Sequence, residues 1–216
     1  MILRAELVDS IIECRNVITS GIVDAKRSDS GHDFGKNIIP QMIAKKLKVF
    51  AYQFDQDANV SAYWRDIGTR DAYYQANMDL VGPNPKFNLY DKSWPVRTYH
   101  HQYPPIKVIT TVGGKKSYVC SIEDSVIASG CVIEGAKIVR SVLSSNVNAK
   151  SRAEITNSVI MEGVVIGEGA QIQNAIVDKD NVIPPNAKIG FDIENERKQF
   201  AVTTSGIVIV AKRTPL

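Results

Sequence analysis

The stretch SVIASGCVIEGAKIVRSVLSSNVNAKSRAEITNSVIMEGVVIGEGAQIQNAIVDKDNVIPPNAKI, residues 125–189, contains an apolar repeat that decides the fold of the second half of the chain. Its apolar residues form four rows, with steps of five or six residues within a row and 16 or 17 between rows. The rows are Ile127, Ile133 and Ile138; Leu143, Ala149 and Ile155; Ile160, Ile166 and Ile172; and Val177, Ile183 and Ile189. An amphipathic helix does not return at this period, whereas a three-sided coil of short strands does, because its fourth strand lies above its first. We therefore predict a parallel β-helix in which each face of a coil places one side chain inward.

A second pattern with the same return marks one corner of each coil. The triplets at this corner are Ser125–Ile127, Ser141–Leu143, Ser158–Ile160 and Ala175–Val177. The alternative is an ordinary β-sandwich, but its hairpins favour Asn-Gly or Asp-Gly turns, which residues 120–190 lack. The apolar run Ile207–Val210 is expected to form a further strand that covers one end of the stack.

Composition excludes several classes of protein. A net charge of +3 over 216 residues is too small to indicate nucleic-acid binding. The three cysteines are an odd number without CxxC spacing, so neither a disulfide framework nor a zinc site is predicted. The first residues include acidic side chains, unlike a signal peptide, and no apolar stretch approaches the length of a membrane span. We expect a soluble, cytoplasmic protein with no membrane partner.

The first hundred residues are a different kind of sequence, with mixed helical and strand patterns. Helices are predicted over 4–14, 37–47 and 70–80, and a strand over 49–54. Ile38, Ile39, Met42, Ile43 and Leu47 are expected to face inward on the second helix, and Thr69 is expected to cap the third. One strand is too little for a complete α/β domain, so either this is an unusually small domain or residues upstream of Met1 are missing, and we expect the second. The predicted domains are an α/β portion at 1–82, a Pro-rich connector at 83–118 and the β-helix at 119–216.

The run Tyr63–Thr69 has the densest set of functional residue types. It lies between a predicted strand and a predicted helix, which is where α/β proteins bind ligands. Asp66 could bind a divalent metal ion, and Gly68 could allow the backbone to approach a ligand closely. The alternative is structural: Arg65 and Asp66 would form an ion pair, and Trp64 would fill the core.

A second run, His32–Asn37, precedes the predicted helix at 37–47. Its structural interpretation is that Asp33 caps this helix and Gly35 makes a turn.

These two runs, together with Tyr90–Tyr99 and the coil repeats, resemble glucose-1-phosphate adenylyltransferases, the bacterial ADP-glucose synthases of glycogen formation. The resemblance extends from about Ser30 to the end of the chain. It implies an α/β nucleotidyltransferase domain followed by a left-handed β-helix of the hexapeptide type. It also implies ATP and glucose-1-phosphate as substrates, Mg²⁺ as cofactor, a homotetramer, and regulation by a phosphorylated metabolite.

Carried over residue by residue, the resemblance assigns roles to a few positions. Asp66 matches the second metal-binding aspartate, and is therefore the expected catalytic and metal-binding residue. Trp64 and Gly68 would shape the sugar side of the pocket, and Asp33 matches the family motif as a substrate-binding residue. Effector-binding basic residues are matched by Lys179 and Lys212. Three more basic residues could extend that patch: Arg197, Lys198 and Arg213.

The resemblance covers only the C-terminal half of the family pattern. The nucleotide-binding Gly-rich loop, the first metal aspartate and the Glu-Lys pair for the sugar phosphate are expected upstream, and Gly113–Ser117 lacks the spacing of a phosphate loop. We therefore expect a fragment of the enzyme that is inactive alone. The alternative is a non-catalytic regulatory or oligomerisation module of a sugar-nucleotide synthase.

Two further enzyme classes have related repeats or chemistry. A hexapeptide acyltransferase typically uses a coil histidine as general base, but His32, His100 and His101 all precede the coils. Another sugar-nucleotide transferase stays open, because the base is chosen by the expected upstream half.

Overall fold

The computed structural model describes residues 28–31, 33–50, 63–85, 87–92, 95–98, 101–112, 115–116 and 120–215. The chain divides into two compact units, residues 1–60 and 61–216, and each is described by itself. The predicted helix at 4–14 lies outside the described residues, as does most of the predicted strand at 49–54. The domain boundaries at 82 and 118 stay predictions.

The described part of the first unit begins with a π-helical turn, Phe34–Ile38, which continues into helix α1, Ile39–Ala44. Pro40 lies in the first turn of α1, where its missing N–H costs no hydrogen bond. Of the five apolar residues expected to face inward, Ile38 and Met42 are buried and Leu47 packs against them. The expectation was wrong for Ile39 and Ile43, which are 39% and 59% exposed. The turn preceding α1 is a π-helix, which has more residues per turn than an α-helix. The apolar residues therefore do not line up on one face as they would on a regular α-helix.

The second unit is a parallel β-solenoid with three sheets, as the repeat predicted. The first sheet contains, in spatial order, β1 (Lys107–Ile109), β6 (Val132–Glu134), β9 (Asn148–Ala149), β12 (Val165–Ile166) and β15 (Val182–Ile183). The second contains β16 (Lys188–Ile189), β13 (Gln171–Gln173), β10 (Glu154–Thr156), β7 (Lys137–Val139) and β4 (Ser121–Glu123). The third contains β17 (Ala201–Val202), β18 (Val208–Val210), β14 (Ala175–Val177), β11 (Val159–Ile160), β8 (Val142–Leu143) and β5 (Val126–Ile127). A separate antiparallel pair joins β2 (Thr111–Val112) to β3 (Lys115–Lys116).

The predicted inward rows form the core of this solenoid. Eleven of the twelve residues are at most 2% exposed, and Ile127, at the first end of the stack, is partly buried against them. The register is the predicted one, since Ile138 pairs with Ile155 and Ile155 with Ile172. Stacking apolar side chains at the strand spacing removes each from water, which is the main stabilising contribution of the coils.

Every complete coil turns its corners with residues of positive φ. Three files of such residues run along the stack: Asp124, Arg140, Asn157 and Asn174; Gly130, Asn146, Gly163 and Asp180; Gly135, Arg152, Gly169 and Asn186. Gly, Asn and Asp adopt this left-handed conformation at the lowest cost, which explains ten of the twelve positions. Arg140 and Arg152 occupy equivalent corners and have the same left-handed conformation, with φ of 47° and 63°.

The serine corner is a ladder of hydrogen bonds between coils. The Ser141 hydroxyl donates to Val139 O (2.8 Å) and accepts from the backbone N of Ser158 (3.2 Å). The Ser158 hydroxyl donates to Thr156 O (2.8 Å) and accepts from the backbone N of Ala175 (3.2 Å). Both serines are fully buried, so these bonds satisfy groups that would otherwise be costly inside the core.

Both ends of the solenoid are extended by flanking segments. At the first end, β1 pairs with β6, so a strand of the solenoid lies in the segment assigned to the connector. At the other end, β18 continues the third sheet beside β14, which confirms the strand predicted at Ile207–Val210. A short helix α3, Ile193–Glu196, precedes β17, and its buried Glu196 accepts backbone hydrogen bonds from Gly190 (2.6 Å) and Phe191 (3.2 Å).

Helix α2, Arg70–Met78, covers the outer face of the third sheet. The outward side chains Val159 and Ile176 are 1% and 5% exposed because they pack with Tyr74 and Ile207. The helix begins at Thr69, whose hydroxyl accepts from Ala72 N (3.1 Å), as predicted. Among the described residues, no helix combines the length and apolar character that crossing a bilayer requires.

Candidate functional site

The segment Tyr63–Gly68 leads directly into the N-terminus of α2. One carboxylate oxygen of Asp66, Oδ1, accepts from Gly68 N (3.0 Å), which closes a small turn at the start of the helix. A Cβ on Gly68 would lie 3.4 Å from that same oxygen, which is close to an ordinary van der Waals contact. Asp66 is exposed, and among the described residues none bonds its second oxygen, Oδ2.

Asp79, just after α2, holds the beginning of this segment. Its Oδ2 accepts from the Tyr63 hydroxyl (3.0 Å) and lies 2.5 Å from Arg65 Nη2. Tyr63 also stacks on Phe87, with ring centroids 5.3 Å apart. Burial, then the hydrogen bond to Asp79, raises the pKa of Tyr63, so the hydroxyl stays a donor at neutral pH. The segment Tyr63–Gly68 is therefore joined to α2 at two places: its end leads into the first turn of the helix, and its beginning bonds Asp79 after the last turn.

This geometry overturns the structural interpretation of the Tyr63–Thr69 run. The partner of Arg65 is Asp79 and not Asp66, because residue 79 returns to this position at the end of the helix. Trp64 does not fill the core, since it is 75% exposed. Asp66, Trp64 and Gly68 thus share one exposed loop, which is the arrangement that the functional interpretation expects.

The loop offers one carboxylate to a metal ion. Among the described residues, no group of three or more His, Cys, Asp or Glu side chains could bind a metal by itself. Mg²⁺ often binds through one or two carboxylates and completes its shell with water and substrate phosphates. Asp66 fits that mode as one ligand, and not as a complete site.

Asp33 lies in the first unit and has a capping role there. Its Oδ1 accepts from Lys36 N (2.7 Å), and its own N–H donates to Asn37 Oδ1 (3.1 Å). The predicted N-cap is therefore present, at the π-helical turn rather than at residue 37. Its substrate-binding role stays a prediction.

The two expected effector residues both adjoin Asp180 at one corner of the last coil, Lys212 through an ion pair and Lys179 as its neighbour in the chain. Lys212 Nζ lies 3.2 Å from Asp180 Oδ2, and Arg213 Nη2 lies 3.8 Å from the same oxygen. Lys179 directly precedes Asp180 in the chain and is exposed. This basic corner, Lys179, Lys212 and Arg213, therefore has a carboxylate at its centre. The other two basic residues expected to extend the patch, Arg197 and Lys198, lie at the end of α3.

Asn181 fixes the C-terminal tail at this corner. Its Nδ2 donates to Asp178 O (2.9 Å) and Ala211 O (2.8 Å), and its Oδ1 accepts from Thr214 N (2.9 Å). Asn181 is 1% exposed, so these bonds form away from competing water.

Sequence reasoning missed Asp79, Asp180 and Asn181. Only Asp180 could have been found from the sequence, because it adjoins Lys179, an expected effector residue. The partners of Asp79 and Asn181 follow from the fold and from no local motif.

Two family models match successive parts of the chain. Residues 15–82 match a family model described as nucleotidyl transferase. Residues 104–210 match one described as GlmU-like, C-terminal hexapeptide.

Curated relatives share substantial identity with most of the chain. The glucose-1-phosphate adenylyltransferase of Saccharophagus degradans is 50% identical over 191 residues, which cover 88% of this chain and 44% of the relative. The enzymes of that name from Methylococcus capsulatus and Koribacter versatilis are 45% and 41% identical over 190 residues, covering 88% of this chain. The chain spans about 45% of the length of these relatives. These findings do not favour the alternative of a non-catalytic module. The chain is therefore a homologue of part of the glucose-1-phosphate adenylyltransferases, and it joins nucleotidyl transferase sequence to a hexapeptide β-solenoid.

Proposed function

We propose that this chain forms part of an enzyme that makes ADP-glucose and diphosphate from ATP and glucose-1-phosphate, for glycogen synthesis in the cytoplasm. The observation that carries the proposal is the exposed loop of Trp64, Asp66 and Gly68, in a chain that is 41–50% identical to enzymes of that name. Because the chain spans about 45% of these relatives, the nucleotide pocket needs sequence beyond the described loop.

In this reaction, a phosphate oxygen of glucose-1-phosphate attacks the α-phosphorus of ATP. The new P–O bond forms as the bond to the β-phosphate oxygen breaks, and diphosphate leaves with the electron pair. The attacking oxygen is already anionic, so no general base is required, and the absence of a loop histidine is no obstacle. Catalysis then depends on positioning and on neutralising phosphate charge.

Asp66 would hold Mg²⁺ through the oxygen that Gly68 N does not engage. When bound, Mg²⁺ would neutralise the phosphates and help to align them. The chain's own part is to keep the Asp66 carboxylate oriented, through the Gly68 turn and the cap at Thr69. Trp64 would shape the sugar side of the pocket with an exposed aromatic face.

The basic corner is proposed to bind a phosphorylated metabolite that regulates the enzyme. Lys179 and Lys212 supply point charges suited to phosphate, and Arg213 adds a planar donor. We further propose that the solenoid supports a homotetramer, as the family resemblance implies.

The test is diphosphate release from ATP and glucose-1-phosphate with Mg²⁺. It would be run on this chain and on a form extended upstream to the length of its relatives. We expect activity only in the extended form, and a loss of at least about a hundredfold in kcat for Asp66→Asn, since an oriented charge is removed. Asp124→Asn is the matched control, because Asp124 is an exposed coil-corner aspartate. An inactive extended form would overturn the proposal and leave a regulatory or assembly module as the explanation.

A further inference from the structure

Two hydrogen bonds fasten helix α2 to the solenoid across long stretches of sequence. The Thr203 hydroxyl donates to Asp71 Oδ1 (2.7 Å), and these residues are 132 positions apart. The Tyr74 hydroxyl donates to Asn157 O (2.7 Å), 83 positions away. Asp71 is in the first turn of α2 and Tyr74 is at its centre, so the bond from Thr203 acts at the N-terminal end of the helix and the bond to Asn157 acts at its middle.

Thr203 is itself held rigidly. It begins the turn between β17 and β18, where its N–H donates to Ile207 O (3.0 Å) and its hydroxyl accepts from Ile207 N (3.1 Å). The hydroxyl therefore accepts from one strand end and donates to the helix. β18 pairs with β14 of the last coil, so this anchor is part of the sheet and not of a loose tail.

The same end of α2 carries the Asp66 loop. Thr69 caps the helix through Ala72 N, and Asp66 closes its turn on Gly68, one residue before Thr69. A displacement of the first helical turn would therefore move Asp66 with it. Apolar packing fixes the middle of the helix through Tyr74 and reaches the first turn through Tyr73, and the hydrogen bond between Asp71 and Thr203 adds a polar contact at that first turn.

We propose that Thr203 is a positioning residue for Asp66, acting through Asp71 and the first turn of α2. This inference rests on the proposed function, in which Asp66 binds the metal ion. Thr203 would contribute no contact to substrate; it would determine where the metal-binding carboxylate lies. The solenoid would thereby take part in building the transfer site, rather than only joining subunits or binding an effector.

The decisive variant is Thr203→Val, which removes the hydroxyl and keeps the shape. It leaves Asp71 Oδ1 and Ile207 N without this partner. Thr203→Ser keeps the hydroxyl and is the rescue. Thr204→Val is the matched control, because Thr204 is exposed in the same turn.

The first measurement is amide hydrogen exchange in this chain itself. We expect exchange at Ala72 and Tyr73 in Thr203→Val to be about tenfold faster, since a hydrogen bond to a charged group is lost. Thr203→Ser and Thr204→Val should exchange at the wild-type rate. Unchanged exchange in Thr203→Val would overturn the proposal.

The second measurement is the Mg²⁺ concentration for half-maximal activity in the extended form, well below its unfolding temperature. We expect it to rise about threefold to tenfold in Thr203→Val and to be restored in Thr203→Ser. A lower unfolding temperature with unchanged Mg²⁺ dependence would mean a purely structural contact and would refute positioning. An inactive extended wild type would instead refute the proposed function, and the exchange result would still decide whether Thr203 holds the helix that carries Asp66.

Discussion

Lys212 and Asp180 form an ion pair, with Nζ and Oδ2 3.2 Å apart, at the corner where we propose that a phosphorylated metabolite binds. Arg213 approaches the same carboxylate oxygen at 3.8 Å. Asp180 thus occupies the position that a ligand phosphate would take, and an anion binding here must compete with it. Both partners are about half exposed, so the pair is weak enough to be displaced.

The first prediction concerns this competition. Asp180→Asn should raise the affinity of the basic corner for inorganic phosphate or a bisphosphorylated sugar several-fold, because a like charge is removed. Asn also tolerates the left-handed backbone at this position, where φ is 58°. Titration calorimetry at low salt measures the effect. Glu168→Gln, which opens the separate Arg152–Glu168 pair, is the control, and an equal gain there would point to net charge alone.

The second prediction concerns the serine ladder. Ser158→Ala should destabilise the chain by about 1–3 kcal/mol, because it leaves the buried N–H of Ala175 without its acceptor. Denaturant unfolding would measure the free energy. Ser205→Ala, at an exposed turn position, should change it little. Equal stability of the two variants would show that the ladder contributes nothing.

The third prediction separates steric clash from backbone strain. A Cβ on Gly190 would lie 1.8 Å from Gln173 O, and its φ is +90°. Gly206 has φ +80° but nothing within 4 Å of such a Cβ. Gly206→Ala should therefore cost about 1–2 kcal/mol for the left-handed conformation, and Gly190→Ala at least about 2 kcal/mol more for the forced shift of the last coil. If thermal unfolding showed the two variants to lose similar amounts of stability, the coils would be able to move apart at Gly190 without cost.

The fourth prediction is a pH dependence of stability. Burial raises the pKa of Tyr74, with Arg140 opposing the shift, so the folded state favours the neutral hydroxyl. The stabilisation is complete below the unfolded pKa of about 10 and is lost as pH rises from there through the folded pKa. Tyr74→Phe should make the alkaline decline of unfolding free energy shallower, whereas Ser205→Ala, at an exposed position without a titrating side chain, should not. The raised pKa values of Tyr63 and Tyr103 leave a residual slope in both variants.

Some features of the fold were predictable because they repeat. The inward isoleucines recur at the coil period. Two further sets of residues recur in the same way, although they were not used to predict the fold. Alanines 136, 153, 170 and 187 recur every 17 residues, and the first three are fully buried. The Gly, Asn and Asp residues at the corners recur in the same way. Equivalent positions in successive coils have the same environment, so they favour the same kinds of residue, and the repeat becomes visible in the sequence.

The candidate site was predictable only in part. The loop residues Trp64, Asp66 and Gly68 could be selected by type and place, but the partner of Arg65 could not. Spacing favoured its neighbour Asp66, whereas the end of α2 brings Asp79 to it. Likewise, the amphipathic pattern predicted helix α2 but not the surface that it covers.

The amino-acid sequence by itself determined the parallel solenoid, the strand that extends it at Ile207–Val210 and the capped helix after Thr69, because each depends on a short period or a local cap. The tertiary structure alone decided that α2 lies on the third sheet, that Thr203 bonds Asp71, and that Asp180 faces Lys212. These contacts join residues up to 132 positions apart, and the choice among many possible partners is made only when packing brings one of them within bonding distance.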